Sequence, residues 1–172
     1  DQIIIDALIA GSAGTTVANT VVTSGSGSAS DLNVGKIIEA KKGMDAKSVP
    51  PTDRHMIIHA NSLASLLGDE RAISADFAQV QALVRGEVNS FMGFQIHMIG
   101  DRDEGGLPKD GSNDRTCLAF HRDAIGCAVG IPPKTEVNYI PEKTSFLVTA
   151  MYSAGAIVID ANGLVDITCR ES

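Results

Sequence analysis

Apolar positions recur along this chain at two spacings, and the change from one to the other marks its elements. In DQIIIDALIAGSA (residues 1–13), Ile4, Ile5, Leu8 and Ile9 fall three and four apart, the period of a helix, which Gly11 ends. TTVANTVVTSGSGSAS (15–30) is β-branched and runs out into a Gly/Ser stretch with the composition of a flexible loop or linker. SDLNVGKIIEAKKGMDAKSVPP (30–51) returns to helical spacing at Leu32, Val34, Ile37, Ile38, Lys41 and Met44. Ser30 or Asp31 is placed to cap its N-terminus, and Pro50 and Pro51 forbid its continuation. That predicts a helix over about 31–46, roughly four turns long. Gly35 and Gly43 weaken it, so packing has to hold it.

HMIIHA (55–60) reads as a buried strand, followed by a short helix that Asn61 caps and Gly68 stops, with Leu63, Leu66 and Leu67 on one side. A second helix is expected over 74–86, with a Ser74 or Asp76 cap, a stripe of Phe77, Val80 and Val84, and Gly86 at its end. GFQIHMIG (93–100) alternates as a strand. Residues 100–115, GDRDEGGLPKDGSNDR, form a polar loop too long to be a mere connection. Residues 116–130, 135–143 and 145–169 carry strand patterns. Asn162-Gly163, between AIVIDA and LVDITC, predicts a hairpin. No internal repeat is present, and the sum is an α+β chain with an antiparallel-rich sheet.

Composition narrows what this pattern can do. The chain has 172 residues, 44% of them hydrophobic, which suffices for a proper core. Aromatics make up only 4%, with no Trp, so Ile, Leu, Val and Ala must fill that core. A net charge of −7 argues against gripping a nucleic-acid backbone, which needs a basic patch. Cys117, Cys127 and Cys169 are odd in number, widely spaced and without a CxxC, the usage of free thiols in a reducing compartment. No apolar run has the length of a membrane span and no signal-peptide pattern opens the chain.

Candidate chemistry is thin. Cys117, His121 and Cys127 give C-x3-H-x5-C, but on a strand Cys127 lies beyond the Gly126 turn, and a buried thiol with a structural His is the better reading. His55 and His59 are four apart on a strand, not a helix, so the zinc geometry of HExxH is missing. NVGKII (33–38) has the Gly-Lys of a phosphate loop without its first Gly or its hydroxyl, and GSGSAS (25–30) lacks the strand-turn-helix setting of a dinucleotide site. Asp69 with Glu70, and Asp101, Asp103 and Glu104, lie in the most polar stretches and read as solvated carboxylates. No catalytic, cofactor or metal site is expected. A small α+β enzyme using the acidic loop, or Cys117 and His121, would need a concave pocket with a perturbed titratable group.

The order of segments carries more than any one of them. DLNVGKIIEAKKGMDAKSVPPTDRHMIIHANSLASLLGD resembles the stretch of tailed-bacteriophage major capsid proteins in which a helix leads to Val-Pro, a polar residue, Arg, an apolar strand and a short helix ending Leu-Leu. Here those are Val49, Pro50, Arg54, Met56–Ile58, Asn61 and Leu66–Leu67. Gly86, Val88, Gly93, Phe94 and Ile96 resemble the following helix, turn and Gly-Phe-x-Ile strand, and AVGIPPKTEVNYIPEKTSFLVTAMYSAGAIVIDANGLVDITC resembles the C-terminal strands. Ala60 stands where such strands often end in Pro.

The resemblance implies the Hong Kong 97-type capsid fold. Residues 1–51 and 131–152 would be the peripheral domain, with a spine helix over about 31–46, and 52–130 and 153–172 the axial domain. It further implies a structural, non-enzymatic coat subunit of an icosahedral head, forming pentamers and hexamers with copies of itself. A scaffolding protein would be a further partner; double-stranded DNA would be enclosed without specific binding, with no membrane partner. The chain would be assembled in the host cytoplasm and reside in the virion. A shell protein of a non-viral compartment or phage-derived particle is the alternative of the same fold. The arm and extended hairpin that knit such subunits together are not found in this chain, and it opens at Asp1 within an apolar pattern, so an N-terminally truncated chain is expected. Within the long loop, Asp101, Arg102, Asp103, Glu104, Lys109, Asp110 and Arg115 carry both signs of charge and are the candidate subunit-interface residues, facing a capsomer axis.

Overall fold

In the computed structural model, residues 2–11, 14–23, 25–68, 90–103 and 105–171 are described. The helix expected over 74–86, the Asp69–Glu70 pair and Glu104 lie outside them.

The first helix, α1, spans Gln2–Ala10 and buries Ile5 and Leu8, while Gly11 lies beyond its end as expected. Three short strands follow: β1 Thr15–Val17, β2 Val21–Val22 and β3 Gly25–Ser26. The stretch expected to be a Gly/Ser linker therefore contains a small antiparallel pair, Val21 opposite Ser26 and Val22 opposite Gly25. The second helix, α2, runs Val34–Ala46 and starts three residues later than predicted. Asn33 is its cap, accepting a hydrogen bond from the Lys36 amide. Asp31 accepts instead from Leu32 N (2.7 Å), Ser62 Oγ (2.9 Å) and Ser65 Oγ (2.9 Å), joining this segment to the third helix.

The two glycines of α2 have a tertiary purpose. A Cβ on Gly35 would stand 2.4 Å from Val22 O and 2.8 Å from Thr23 Cα, and one on Gly43 would touch Thr15 at 3.2 Å. Their absence of side chain lets the helix lie directly on β2 and β1.

Strand β4 (Arg54–His59) enters through a turn closed by its own first residue. Arg54, 2% exposed, donates from Nε to Pro50 O (2.8 Å) and from Nη2 to Val49 O (2.6 Å) and Asp45 Oδ1 (2.6 Å). The Pro pair is thus held by the guanidinium, which also ties the end of α2 to the sheet. Helix α3 covers Ala60–Gly68. Asn61 lies inside its first turn instead of capping it, with its amide directed at His59 Nδ1 (3.3 Å).

The remaining strands are β5 Ser90–Phe91, β6 Phe94–Ile99, β7 Asp114–His121, β8 Ile125–Ile140, β9 Ser145–Val158 and β10 Leu164–Arg170. Six form one mixed sheet in the order β1-β10-β7-β4-β6-β5, with β1 parallel to β10 and β4 parallel to β6. Helices α2 and α3 cover one face, where Lys36 Nζ bonds Ser30 O and Thr168 O (2.9 Å) and Cys117 meets Ser62. The register puts His55, Gln95 and Phe120 on the opposite face, beside Ile4 of α1. The core between helices and sheet is mostly aliphatic, including Ile37, Met44, Met56, Ile58, Leu66 and Ile167, with Phe94 the fully buried aromatic among the described residues.

The hairpin predicted at Asn162-Gly163 does not form. Strand β9 pairs with β8, and β10 pairs with β7. Residues Ala161–Gly163 make a 3-10 turn in which the Asp160 carboxylate accepts from Asn162 N (2.9 Å), and the chain passes there from one sheet to the other. Gly163 is required at that crossing because a Cβ would lie 2.7 Å from Ala124 Cβ. The hairpin that does form turns at Pro141–Lys143, with Thr144 left-handed at φ 49°. It makes a separate two-stranded ladder, β8–β9.

Helix α2 lies on β1, β2 and β10, whereas α1 is the helix against β9. The segment Val34–Ala46 thus sits on the six-stranded sheet.

Candidate interaction surfaces

Two regions collect side chains of possible functional weight, and the first is the loop over 100–115. It is folded back on the end of the sheet around Glu171, a buried carboxylate. Arg115 donates to Glu171 from Nε (2.7 Å), to Asp101 from Nη1 (2.9 Å) and to the Leu107 carbonyl (3.2 Å). Lys109 Nζ lies 2.7 Å from the second Glu171 oxygen. His59 stands between Glu171 (3.2 Å) and Asp101 (3.6 Å). Burial pushes the Glu171 carboxyl up, but hydrogen bonds and charge from Lys109 and Arg115 outweigh it and hold it at about 2. A second bidentate contact, Arg170 on Asp114, with Asn19 on the same carboxylate (2.8 Å), pins the start of β7 and depresses the Asp114 carboxyl through the Arg170 bond first.

Of the residues singled out in this loop, Asp101, Lys109 and Arg115 come together, but on each other and on Glu171. Arg115, one of the candidate subunit-interface residues, is 4% exposed in this chain and faces inward. Register places it there: Arg115 lies on β7 opposite Cys169, on the helix-covered face. Asp110 accepts from Ser112 N and Asp114 N (both 2.8 Å), shaping the turn into β7. Arg102 and Asp103 are exposed, with Arg102 bridged to Gly105 through the backbone. His59 and Glu171 were not singled out from the sequence as members of this cluster. Fifty-six residues separate Arg115 from Glu171, and no local pattern links them.

Cys117 and Cys169 are buried beneath the helices and Cys127 is exposed on the ladder, so the C-x3-H-x5-C residues are not assembled. His121 accepts from Asp123 N (3.2 Å). His55 meets His97 (3.0 Å), and the two rings and Phe120 stack at the side of an open groove of about 930 Å³. Burial first, then the neighbouring His97, lowers the His55 pKa. Among the described residues lining that groove, no hydrogen bond joins Cys127 to His55.

The second region is the ladder. Register places Val137 opposite Val148 and Tyr139 opposite Phe146, so these four share a face, and the two rings pack at 5.3 Å. The other face carries Lys134 paired with Glu136, together with Asn138, Leu147, Thr149 and Met151. The apolar face is uncovered: Phe146 is 72%, Val148 63% and Val137 61% exposed. Alternation along a strand normally turns such a row toward a core. Here no described residue covers the row. Contiguous exposed apolar surface of this kind marks a place where another molecule sits.

A family model described as phage capsid protein matches residues 1–171. Among solved structures, a chain of Mycobacterium phage Che8 is similar at a TM-score of 0.67 and 20% identity, covering 95% of this chain and 55% of that one. The capsid of cyanophage P-SCSP1u gives a TM-score of 0.69 at 15% identity, covering 100% and 62%. The mature capsid of bacteriophage PhiM1 gives 0.60 at 11% identity, covering 99% and 59%. The chain thus spans 55–62% of the length of these three. No curated protein sequence matches it.

Proposed function

The chain belongs to the phage capsid protein family and has the Hong Kong 97-type α+β fold, and from that premise we propose that it is a structural subunit of a phage head, a major capsid protein that acts by tiling against copies of itself. The observation that carries this reading is the uncovered apolar face of the β8–β9 ladder, with Val137, Tyr139, Phe146 and Val148 in one row. A subunit that must bury surface against its neighbours requires such a face.

Pentamers and hexamers of one chain need the same surfaces to meet at slightly different angles. A rigid sheet with two helices supplies the body, and its peripheral part is proposed as α1 with the ladder. The six-stranded sheet with α2 and α3 would be the axial part, a division supported by the packing of α2 on β10 and β1. In the long loop, the exposed Asp101, Arg102, Asp103, Lys109 and Asp110 remain candidates for contacts around a capsomer axis. Lys109 on Glu171 and Asp101 on Arg115 give that loop a defined shape. Exposed ion pairs there would contribute only about 0–1 kcal/mol each, weak enough for misplaced subunits to leave. A scaffolding protein during assembly, double-stranded DNA enclosed by an acidic wall, and a final place in the virion complete the proposal.

Electron microscopy and sedimentation of the expressed protein test it. Rings or closed shells are expected, and replacing Phe146 and Val148 together by Asp should leave monomers of unchanged circular dichroism. A wild-type protein that stays monomeric at every concentration tried would end the reading.

A further inference from the structure

Asn162-Gly163 forms no hairpin, yet its chemistry remains, because it is the one Asn-Gly dipeptide in the sequence. Asparagine before glycine is labile: with no side chain to hinder it, the glycine amide nitrogen can attack the asparagine Cγ. A five-membered succinimide forms and ammonia leaves. Water then opens the ring at the side-chain carbonyl to give aspartate. Opening at the main-chain carbonyl gives isoaspartate, whose backbone runs on through Cβ and Cγ. A larger residue after the asparagine would slow this, but a Cβ on Gly163 would lie 2.7 Å from Ala124 Cβ and 3.5 Å from His121 Cβ. The fold instead holds the reacting atoms apart. Gly163 is buried and donates its N–H to Asp160 O (3.2 Å), while Asp160 Oδ1 accepts from Asn162 N (2.9 Å). The 3-10 turn keeps ψ of Asn162 in the helical range, whereas ring closure needs the Gly163 nitrogen turned over Cγ. Asp160 is itself placed by the Ala124 carbonyl, which accepts from Ile159 N (2.8 Å) and Asp160 N (3.3 Å). Asn162 is exposed, and no described residue hydrogen-bonds to its side-chain amide, so the backbone of the turn is the restraint.

We propose that Asn162-Gly163 is a latent modification site at the crossing between the two sheets, kept from succinimide closure by Asp160 and converted to isoaspartate when the crossing opens. The conversion runs one way. Isoaspartate adds a backbone carbon between a turn anchored on Ala124 and Leu164, which begins seven consecutive pairs with β7. Gly163, packed on Ala124, has no room to take up the extra length by shifting. A chain that opens here and reacts is therefore marked covalently and does not close the crossing again. Local opening governs the rate, since the folded chain reacts in proportion to the fraction of time the turn is open. The reaction is confined to one chain and does not depend on association.

Mass spectrometry of the tryptic segment 144–170, whose single asparagine is Asn162, reads the site in protein aged at mildly alkaline pH, together with an isoaspartate assay. Folded wild type should convert at least about tenfold more slowly than the same chain held in urea. Asp160→Ala removes the acceptor for Asn162 N and should speed the folded reaction at least about fivefold. Asp160→Asn keeps an acceptor oxygen without the charge and should stay near the wild-type rate. Equal rates in the folded and unfolded wild type overturn the proposal, and that comparison needs no variant. So does an Asp160→Ala chain of native circular dichroism that reacts no faster than wild type, or an Asp160→Asn chain that reacts as fast as Asp160→Ala. Chains converted in urea should fail to regain native melting on dilution, whereas Asn162→Asp, which adds the charge alone, should refold. Isoaspartyl chains that melt like wild type would sink the one-way step.

Discussion

Two carboxyl groups show opposite answers to burial. Glu171 is surrounded by Arg115, Lys109 and His59, and its carboxyl is held at about 2. Because this lies below the ordinary glutamate value, its contribution to stability is complete above about pH 4.5 and is lost as pH falls toward 2. Glu171→Gln should therefore cost about 1–3 kcal/mol at pH 7, with the gap to wild type closing in that acid window when melting is followed against pH. Asp166 has no such company. It is 9% exposed, its Oδ1 has no hydrogen-bond partner, and burial alone raises its pKa to about 6. Raised above the unfolded value, it weakens the fold progressively as pH rises from about 4 to 6, and by a constant amount beyond. Asp166→Asn should stabilise by about 1–3 kcal/mol at pH 8 and by little at pH 4. A melting difference equal at both pH values would contradict the assignment.

Among the elements, α2 depends on what it lacks. Its sequence contains two glycines that propensity counts against it, yet Gly35 permits an approach to Val22 and Thr23 that no side chain allows. Gly35→Ala, favourable for an isolated helix by nearly 1 kcal/mol, should instead destabilise the protein by about 1–3 kcal/mol in denaturant unfolding. The Asn162-Gly163 turn shows the same override in another form. Its two flanks are good strands, and the pattern for a hairpin is complete, but Leu164–Arg170 is matched residue for residue with Asp114–Phe120. Seven cross-strand pairs within the core outweigh a local turn preference.

At the scale of the whole molecule, charge and apolar surface act against each other in association. Copies each carrying −7 repel at low ionic strength, while the face of the ladder attracts by burial. Raising salt from about 20 to 500 mM shortens the screening length to a few ångströms and should strengthen self-association in sedimentation. Weakening with salt would instead place the exposed loop charges, not the ladder, at the centre of the contact. Short-range pattern determined much of the element list: α1 with its Gly11 stop, the run 34–46 before the prolines, the strands at 54–59 and 94–99, and the order of segments that resembles a capsid chain. These depend on periods of two and 3.6 residues and on glycine and proline, which are local physics. Only the tertiary structure decided the rest. It chose the partner of each C-terminal strand, turned Arg115 inward onto a carboxylate 56 residues away, laid α2 on the sheet, and left one face of β8–β9 without cover from the described residues. Pairing and burial are set by which distant surfaces close the core together, and a sequence read a dozen residues at a time contains each surface but not its match.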